Sequence, residues 1–134
     1  MFQLSIDVSK LAQFHYNLGK ELAPLRERGI LIIGSGNIVH NLGRMHYARD
    51  TKPFDWAVEF DELAKHFLIR GEHERLITYE DLGRAATLSI PTPDHYWPLL
   101  YSIALQENKD NLSFPVIGIA HGSVSMRAVA IGMK

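Results

Sequence analysis

The chain has 134 residues, 46% of them hydrophobic and 22% charged, with a formal net charge of −1. That is enough chain for one domain with a real core, in an ordinary globular composition. A near-neutral balance without a basic stripe gives nucleic-acid binding no electrostatic support, and no apolar run reaches the roughly 18 residues that a membrane span needs. There is no cysteine, which excludes a disulfide framework and a thiolate metal site, so any metal must be held by His, Asp or Glu. Met1 to Asp7 contains no basic start or apolar leader, and a cytoplasmic location is expected.

Phe2-Gln3-Leu4-Ser5-Ile6 alternates apolar and polar residues and predicts a strand. Ser9 is placed to cap a helix in which Leu11, Phe14, Leu18, Leu22 and Leu25 form one apolar face. Pro24 is expected to kink that helix and Gly29 to close it. The apolar run Ile30 to Ile33 follows as a buried strand. Strand, helix, strand makes a βαβ unit, so the two strands are expected to be parallel in a covered sheet.

Residues 43 to 52 are polar and irregular. Pro53 is expected to open a second helix with a stripe of Trp56, Ala57, Phe60, Leu63, Ala64, Phe67 and Leu68. Asp55, Glu59, Asp61, Glu62 and Lys65 are assigned to its solvated face. A short helix is predicted over 76–82. Thr92 caps a further helix with Pro93 at its first position, which puts His95 in the first turn and Tyr96, Leu99, Leu100 and Ile103 on the apolar side. Phe114 to Ile119 and Val124 to Ile131 read as strands that pair as a hairpin or as neighbours at a sheet edge. Without repeats or linkers, residues 1–134 form a single domain.

Seven histidines are present. His15 reads as a boundary residue of the first helix, His66 and His73 as solvated, His46 as a loop residue, and His121 as a turn residue with a local hydrogen-bonding role. His40 and His95 differ, because each follows an element that fixes its backbone: a strand with a glycine turn, and a proline-flanked helix start. Spacing alone leaves packing and function equally open for both. Gly34-Ser35-Gly36 is not a dinucleotide fingerprint, since the third glycine position is Val39. Neither a Walker A sequence nor a Gly-x-Ser-x-Gly elbow occurs.

Gly34-Ser35-Gly36-Asn37-Ile38-Val39-His40-Asn41-Leu42 resembles the C-terminal half of class III extradiol ring-cleavage dioxygenases, nearest to those of the DOPA 4,5-dioxygenase type. Three further stretches agree in order. They are Pro53-Phe54-Asp55-Trp56-Ala57, the second histidine motif Pro91-Thr92-Pro93-Asp94-His95-Tyr96-Trp97-Pro98, and Gly118 with Gly122-Ser123-Val124-Ser125-Met126. The resemblance implies an α/β three-layer sandwich with a central mixed sheet, represented here by about half of the family domain. It implies a mononuclear non-haem Fe(II) site, or Zn in its place, with His95 as ligand and His40 as ligand or proton-transfer residue. Asn37 and Asn41 are candidates to support them. The implied reaction opens a catechol ring with O₂ beside the diol.

The family's His-Gly-Ser-Pro and Ser-Ala-His-Trp motifs, which carry its other metal histidines, do not occur in this chain. The chain is therefore expected to act as half an enzyme, pairing with a separate N-terminal half or with a second copy. Two alternatives stay beside this one: a non-catalytic domain that serves in assembly or binding, and a zinc-dependent hydrolase-like site.

Overall fold

The apolar stripe beginning at Trp56 folds as the longest described helix, and its buried face is part of the hydrophobic core. In this computed structural model, which describes residues 1–133, it is α3, Asp55–Arg70. No glycine or proline interrupts it. Asp55 in the first turn and Arg70 in the last both suit the helix dipole, and Gly71, at φ 66°, ends the helix in the left-handed region. Pro53 lies just outside, because Phe54 is the N-cap. Ala57, Phe60, Ala64 and Leu68 are sealed from solvent. Each large side chain so buried contributes about 1.5–3 kcal/mol.

Three short helices follow α3: α4, His73–Ile77; α5, Arg84–Ser89; and α6, Trp97–Ile103. α3 packs against α4 and α5, and α6 packs against α4. The helix expected over 76–82 is two pieces, α4 and a 3₁₀ turn at Tyr79–Leu82. α5 was not expected, because Ala85 and Ala86 bury without giving a large apolar period. Tyr96 is fully buried, and its hydroxyl donates to the Leu76 carbonyl at 2.8 Å.

The first helical segment differs from its prediction. α1 is Ala12–Glu21 with Leu11 at the N-cap, while Ser9 donates to the Asp7 carboxylate in the preceding turn. A break at Leu22 separates α2, Ala23–Glu27, so Pro24 stands in a new first turn rather than kinking one helix. Gly29, at φ 78°, follows α2 as expected. The buried side of α1 is not the leucine stripe. Leu11 and Phe14 are exposed, whereas His15 and Gly19 are buried against α6. A Cβ on Gly19 would stand 2.8 Å from Ala104 Cβ, so only glycine lets the two helices approach this closely.

His15 is thus a core residue and not a boundary one. It stacks on Trp97 at 4.3 Å, and its Nδ1 is hydrogen-bonded to the Tyr101 hydroxyl at 2.8 Å. Burial lowers its pKa from the ordinary 6.5, against the opposing charge of Asp7. A depressed histidine binds fewer protons folded than unfolded, so its contribution is complete above pH 6.5 and lost as pH falls below it. Urea midpoints are expected to fall between pH 7.5 and pH 5.5, and His15→Gln, which cannot titrate, is expected to shrink that fall. An equal fall in both proteins would refute the assignment. His73 is likewise not free, being held between the Tyr16 hydroxyl and the Gln106 amide oxygen, each at 2.9 Å.

The α/β class holds, and the strands present form two antiparallel ladders. β1, Leu112–Ser113, pairs with β4, Ala130–Ile131, and β2, Ile119–Ala120, pairs with β3, Val124–Ser125. The segments 114–119 and 124–131, expected to pair as strands, form a ladder only where Ile119–Ala120 meets Val124–Ser125, turning through His121 and Gly122 at φ 55° and 77°, and residues 114–118 are not strand. The parallel pairing of Phe2–Ile6 with Ile30–Ile33 does not form. Neither segment has a ladder partner among the described residues, and Phe2, Leu4, Leu31 and Ile33 are exposed. The alternation of 2–6 and the apolar run of 30–33 both suit a strand, but a strand needs a neighbour to bond, and neither has one among the described residues.

Asp61, expected on the solvated face of α3, lies inside instead. It is buried and bonded to Arg127 (Nε 3.0 Å, Nη2 2.5 Å) and to the Ser125 hydroxyl (2.5 Å). Its place four residues after Ala57 and three before Ala64 is the signal that puts it on the buried edge.

Candidate metal-site histidine pair

The backbone that carries His40 is fixed from three sides. The His40 N–H donates to the Ser89 carbonyl at 2.9 Å, at the end of α5. His40 bridges Val124 of β3, and the Ser125 N–H donates to Val39 at 2.9 Å. Asn41 locks the next residue: its amide donates to the Leu88 carbonyl at 2.7 Å, and Ser123 Oγ donates to the Asn41 carbonyl at 2.8 Å. Ile38 and Val39 are buried behind the histidine.

His95 comes from the 3₁₀ turn Pro93–His95, immediately before α6. Thr92 precedes that turn without a side-chain capping bond to it. The turn is tied to the glycine segment, since Asn37 N–H donates to the His95 carbonyl at 2.8 Å and Asn37 Nδ2 to the Ser125 carbonyl at 2.7 Å. Asn37 therefore joins the His95 turn to β3. Gly36 lies under the His95 carbonyl, where a Cβ would come within 2.1 Å of that oxygen. Backbone contact, rather than a positive φ, explains this glycine.

These constraints bring two histidines 55 positions apart in the chain ring to ring. The imidazole centroids of His40 and His95 are 3.6 Å apart, with planes inclined at 20°. The Asp94 carboxylate lies 3.4 Å from His95 Nε2. Burial first, and then the neighbouring His95, lowers the His40 pKa from 6.5, while Asp94 opposes the shift. A hydrogen bond from Thr92 lowers the Asp94 pKa, helped by the charges of His95 and His40. At neutral pH the pair thus presents a neutral His40 beside an ionised carboxylate.

Neutral imidazole nitrogens are good donors to a divalent metal. The ring planes are stacked and inclined at only 20°, and imidazole lone pairs lie in the ring plane, so an ion in the plane of one ring lies out of the plane of the other. Among the described residues, no group of three His, Cys, Asp or Glu is arranged to hold a metal. The donor set therefore fits two ligand positions and not a complete site.

The remaining histidines stand apart from this pair in their contacts. His46 stacks on Phe54 at 5.1 Å and donates its N–H to the His121 carbonyl at 2.9 Å. His121 Nδ1 is hydrogen-bonded to the His46 carbonyl at 3.0 Å, so its hydrogen bond reaches 75 residues along the chain and is not the local one expected within its turn. Reading by spacing missed Ser123 and Ser125, whose small buried hydroxyls carry no periodic signal.

Residues 1–109 match the family described as the catalytic LigB subunit of aromatic ring-opening dioxygenase. The chain belongs to this family. The 4,5-DOPA dioxygenase extradiol of Escherichia coli K12 is 44% identical over 135 residues, covering 98% of this chain and 49% of that protein. The 4,5-DOPA dioxygenase extradiol of Mirabilis jalapa is 38% identical over 98 residues, covering 72% of this chain and 36% of the plant protein. The crystal structure of an uncharacterized Escherichia coli K12 protein superposes with a TM-score of 0.86 at 42% identity, covering 93% of this chain and 52% of that one. The chain thus spans about half or less of the relatives it matches. LigB extradiol dioxygenases use a non-haem metal. No helix among the described residues is long and apolar enough to cross a membrane.

Proposed function

We propose that this chain is the C-terminal portion of a class III extradiol dioxygenase, and that it supplies His40 and His95 to a mononuclear metal site shared with the rest of a family-length domain. The observation that carries the reading is the ring-to-ring pairing of His40 and His95 in a LigB-family chain. The metal is Fe(II), with Zn able to take its place. The substrate is a catechol of the DOPA class, and O₂ is the second substrate. One ring carbon–carbon bond beside the diol breaks, and both oxygen atoms enter the product.

When bound, the metal supplies Lewis acidity toward the diol and open positions for small ligands. The chain's own residues do the rest. His95 is a ligand, and Asp94 beside its Nε2 orients the ring. His40 is neutral at pH 7, so it serves as a ligand or accepts a proton from the diol. Asn37 and Asn41 hold the two histidine backbones and do not touch the reactants. The protein works in the cytoplasm, as an assembly with the remaining half or with a second copy.

The test is oxygen uptake with L-DOPA and Fe(II) by the assembled protein. His95→Ala is expected to abolish uptake, and His40→Ala to slow it by about 10²–10⁴-fold, the range of a lost acid–base group. Uptake that survives both substitutions would refute the reading. A second reading, a non-catalytic domain that acts in assembly, is favoured by the lack of a third donor among the described residues. It predicts no uptake by the wild-type assembly.

A further inference from the structure

Ser125 of β3, only 1% exposed, sits where the two histidine segments meet the longest helix. Its N–H donates to the Val39 carbonyl at 2.9 Å, one residue before His40. Its carbonyl accepts from Asn37 Nδ2 at 2.7 Å, and the Asn37 N–H donates to the His95 carbonyl at 2.8 Å. The backbone of this one residue is thus tied to both members of the pair, to one through Val39 and to the other through Asn37. A side chain at a site is only as well placed as whatever holds its backbone.

The Ser125 side chain fixes that backbone from the other direction. Its hydroxyl donates to Asp61 Oδ1 at 2.5 Å and accepts the Arg127 N–H at 3.2 Å. Asp61 stands midway along α3, away from the ends where a helix frays. Its other oxygen takes Arg127 Nε at 3.0 Å and Nη2 at 2.5 Å, so the carboxylate cannot turn from the serine without breaking the guanidinium bonds. A buried ion pair is a weak source of stability, because two apolar side chains of similar volume do as well or better. What apolar side chains cannot supply is an acceptor aimed at one hydroxyl.

We propose that Asp61 is a positioning residue for the histidine pair: through the Ser125 hydroxyl it fixes β3 against α3, and β3 holds His40 and His95 ring to ring. The proposal rests on the functional reading above, since a fixed ring spacing matters for function only where both imidazoles serve one site. Arg127 orients the carboxylate, and its own hydrogen bonds go to Asp61, Glu62 and Ser125 rather than to a histidine.

Stability and positioning come apart in two variants. Asp61→Asn leaves the Ser125 hydroxyl a partner in either amide orientation but removes the charge that Arg127 is paired with. Asp61→Leu with Arg127→Met removes the charges and the acceptor together. The experiment uses the full chain without metal or catechol. It reads the NMR cross-peak between the ring protons of His40 and His95, with the urea midpoint measured beside it. Asp61→Asn is expected to lower the midpoint and keep the cross-peak. The double variant is expected to keep most of the midpoint and lose the cross-peak. Ser125→Ala deletes only the hydroxyl, and it is expected to lose the cross-peak as well, which carries the test should the double variant not fold. A cross-peak that follows the midpoint through these variants would overturn the proposal and leave Asp61 a purely structural residue. So would a cross-peak that survives in Ser125→Ala. Ring spacing is read here without oxygen uptake, so a failure of this proposal is distinct from a failure of the dioxygenase reading.

Discussion

Asp61→Ala is expected to destabilise the chain by about 3 kcal/mol, the low end for removing one partner of a buried ion pair. The Arg127 and Asp61 side chains are only 4% and 5% exposed. After the substitution, Arg127 keeps Glu62, at 2.6 Å but half exposed, so its charge is not wholly orphaned. Ser125 Oγ also loses its acceptor, and Ser125 is the residue through which β3 grips Val39. Urea unfolding of Asp61→Leu with Arg127→Met supplies the contrast. Replacing both charges by apolar groups is expected to restore most of the loss, because the penalty lies in the unpaired charge. A double variant no more stable than Asp61→Ala would show that the pair is not the source.

Gly36→Ala has the largest expected effect on the histidine pair. The added Cβ meets the His95 carbonyl at 2.1 Å and Pro98 Cγ at 3.1 Å. Backbone carbonyls do not move aside as side-chain ends do, so the two segments must separate, at about 1–3 kcal/mol for overpacking. The bond from Asn37 N–H to the His95 carbonyl is then lost, and the imidazoles part. The ring-proton NMR signals of His40 and His95 are expected to lose their mutual ring-current shifts. Gly43→Ala is the control, because its Cβ meets only Asn41 Oδ1, at 3.4 Å. Unchanged His40 and His95 signals in Gly36→Ala would contradict the packing argument.

The helical part of the fold was legible where a long apolar period coincided with the buried face, as in α3. It was illegible where burial went to small or polar residues. α5 hides behind Ala85 and Ala86, and α1 buries His15 and Gly19 one step round from its leucines. Asp61 was misplaced because charge outweighed its register with Ala57 and Ala64. The strands at 2–6 and 30–33 failed for a different reason. Periodicity reports which backbone shape a segment suits, whereas a ladder needs a neighbour, and none of the described residues supplies it. His40 and His95 entered from their motifs. Their meeting at 3.6 Å depends on Ser89, Asn37 and β3, whose part in it cannot be read from spacing.

His40 and His95 are proposed above as two donors of one metal site. An anaerobic Fe(II) titration of the purified chain, beside His40→Ala and His95→Ala, tests it most directly. Weak binding of one ion by the wild-type chain is expected, lost in both variants and strengthened when the other half of the domain is present. Binding of equal strength in all three proteins would contradict it.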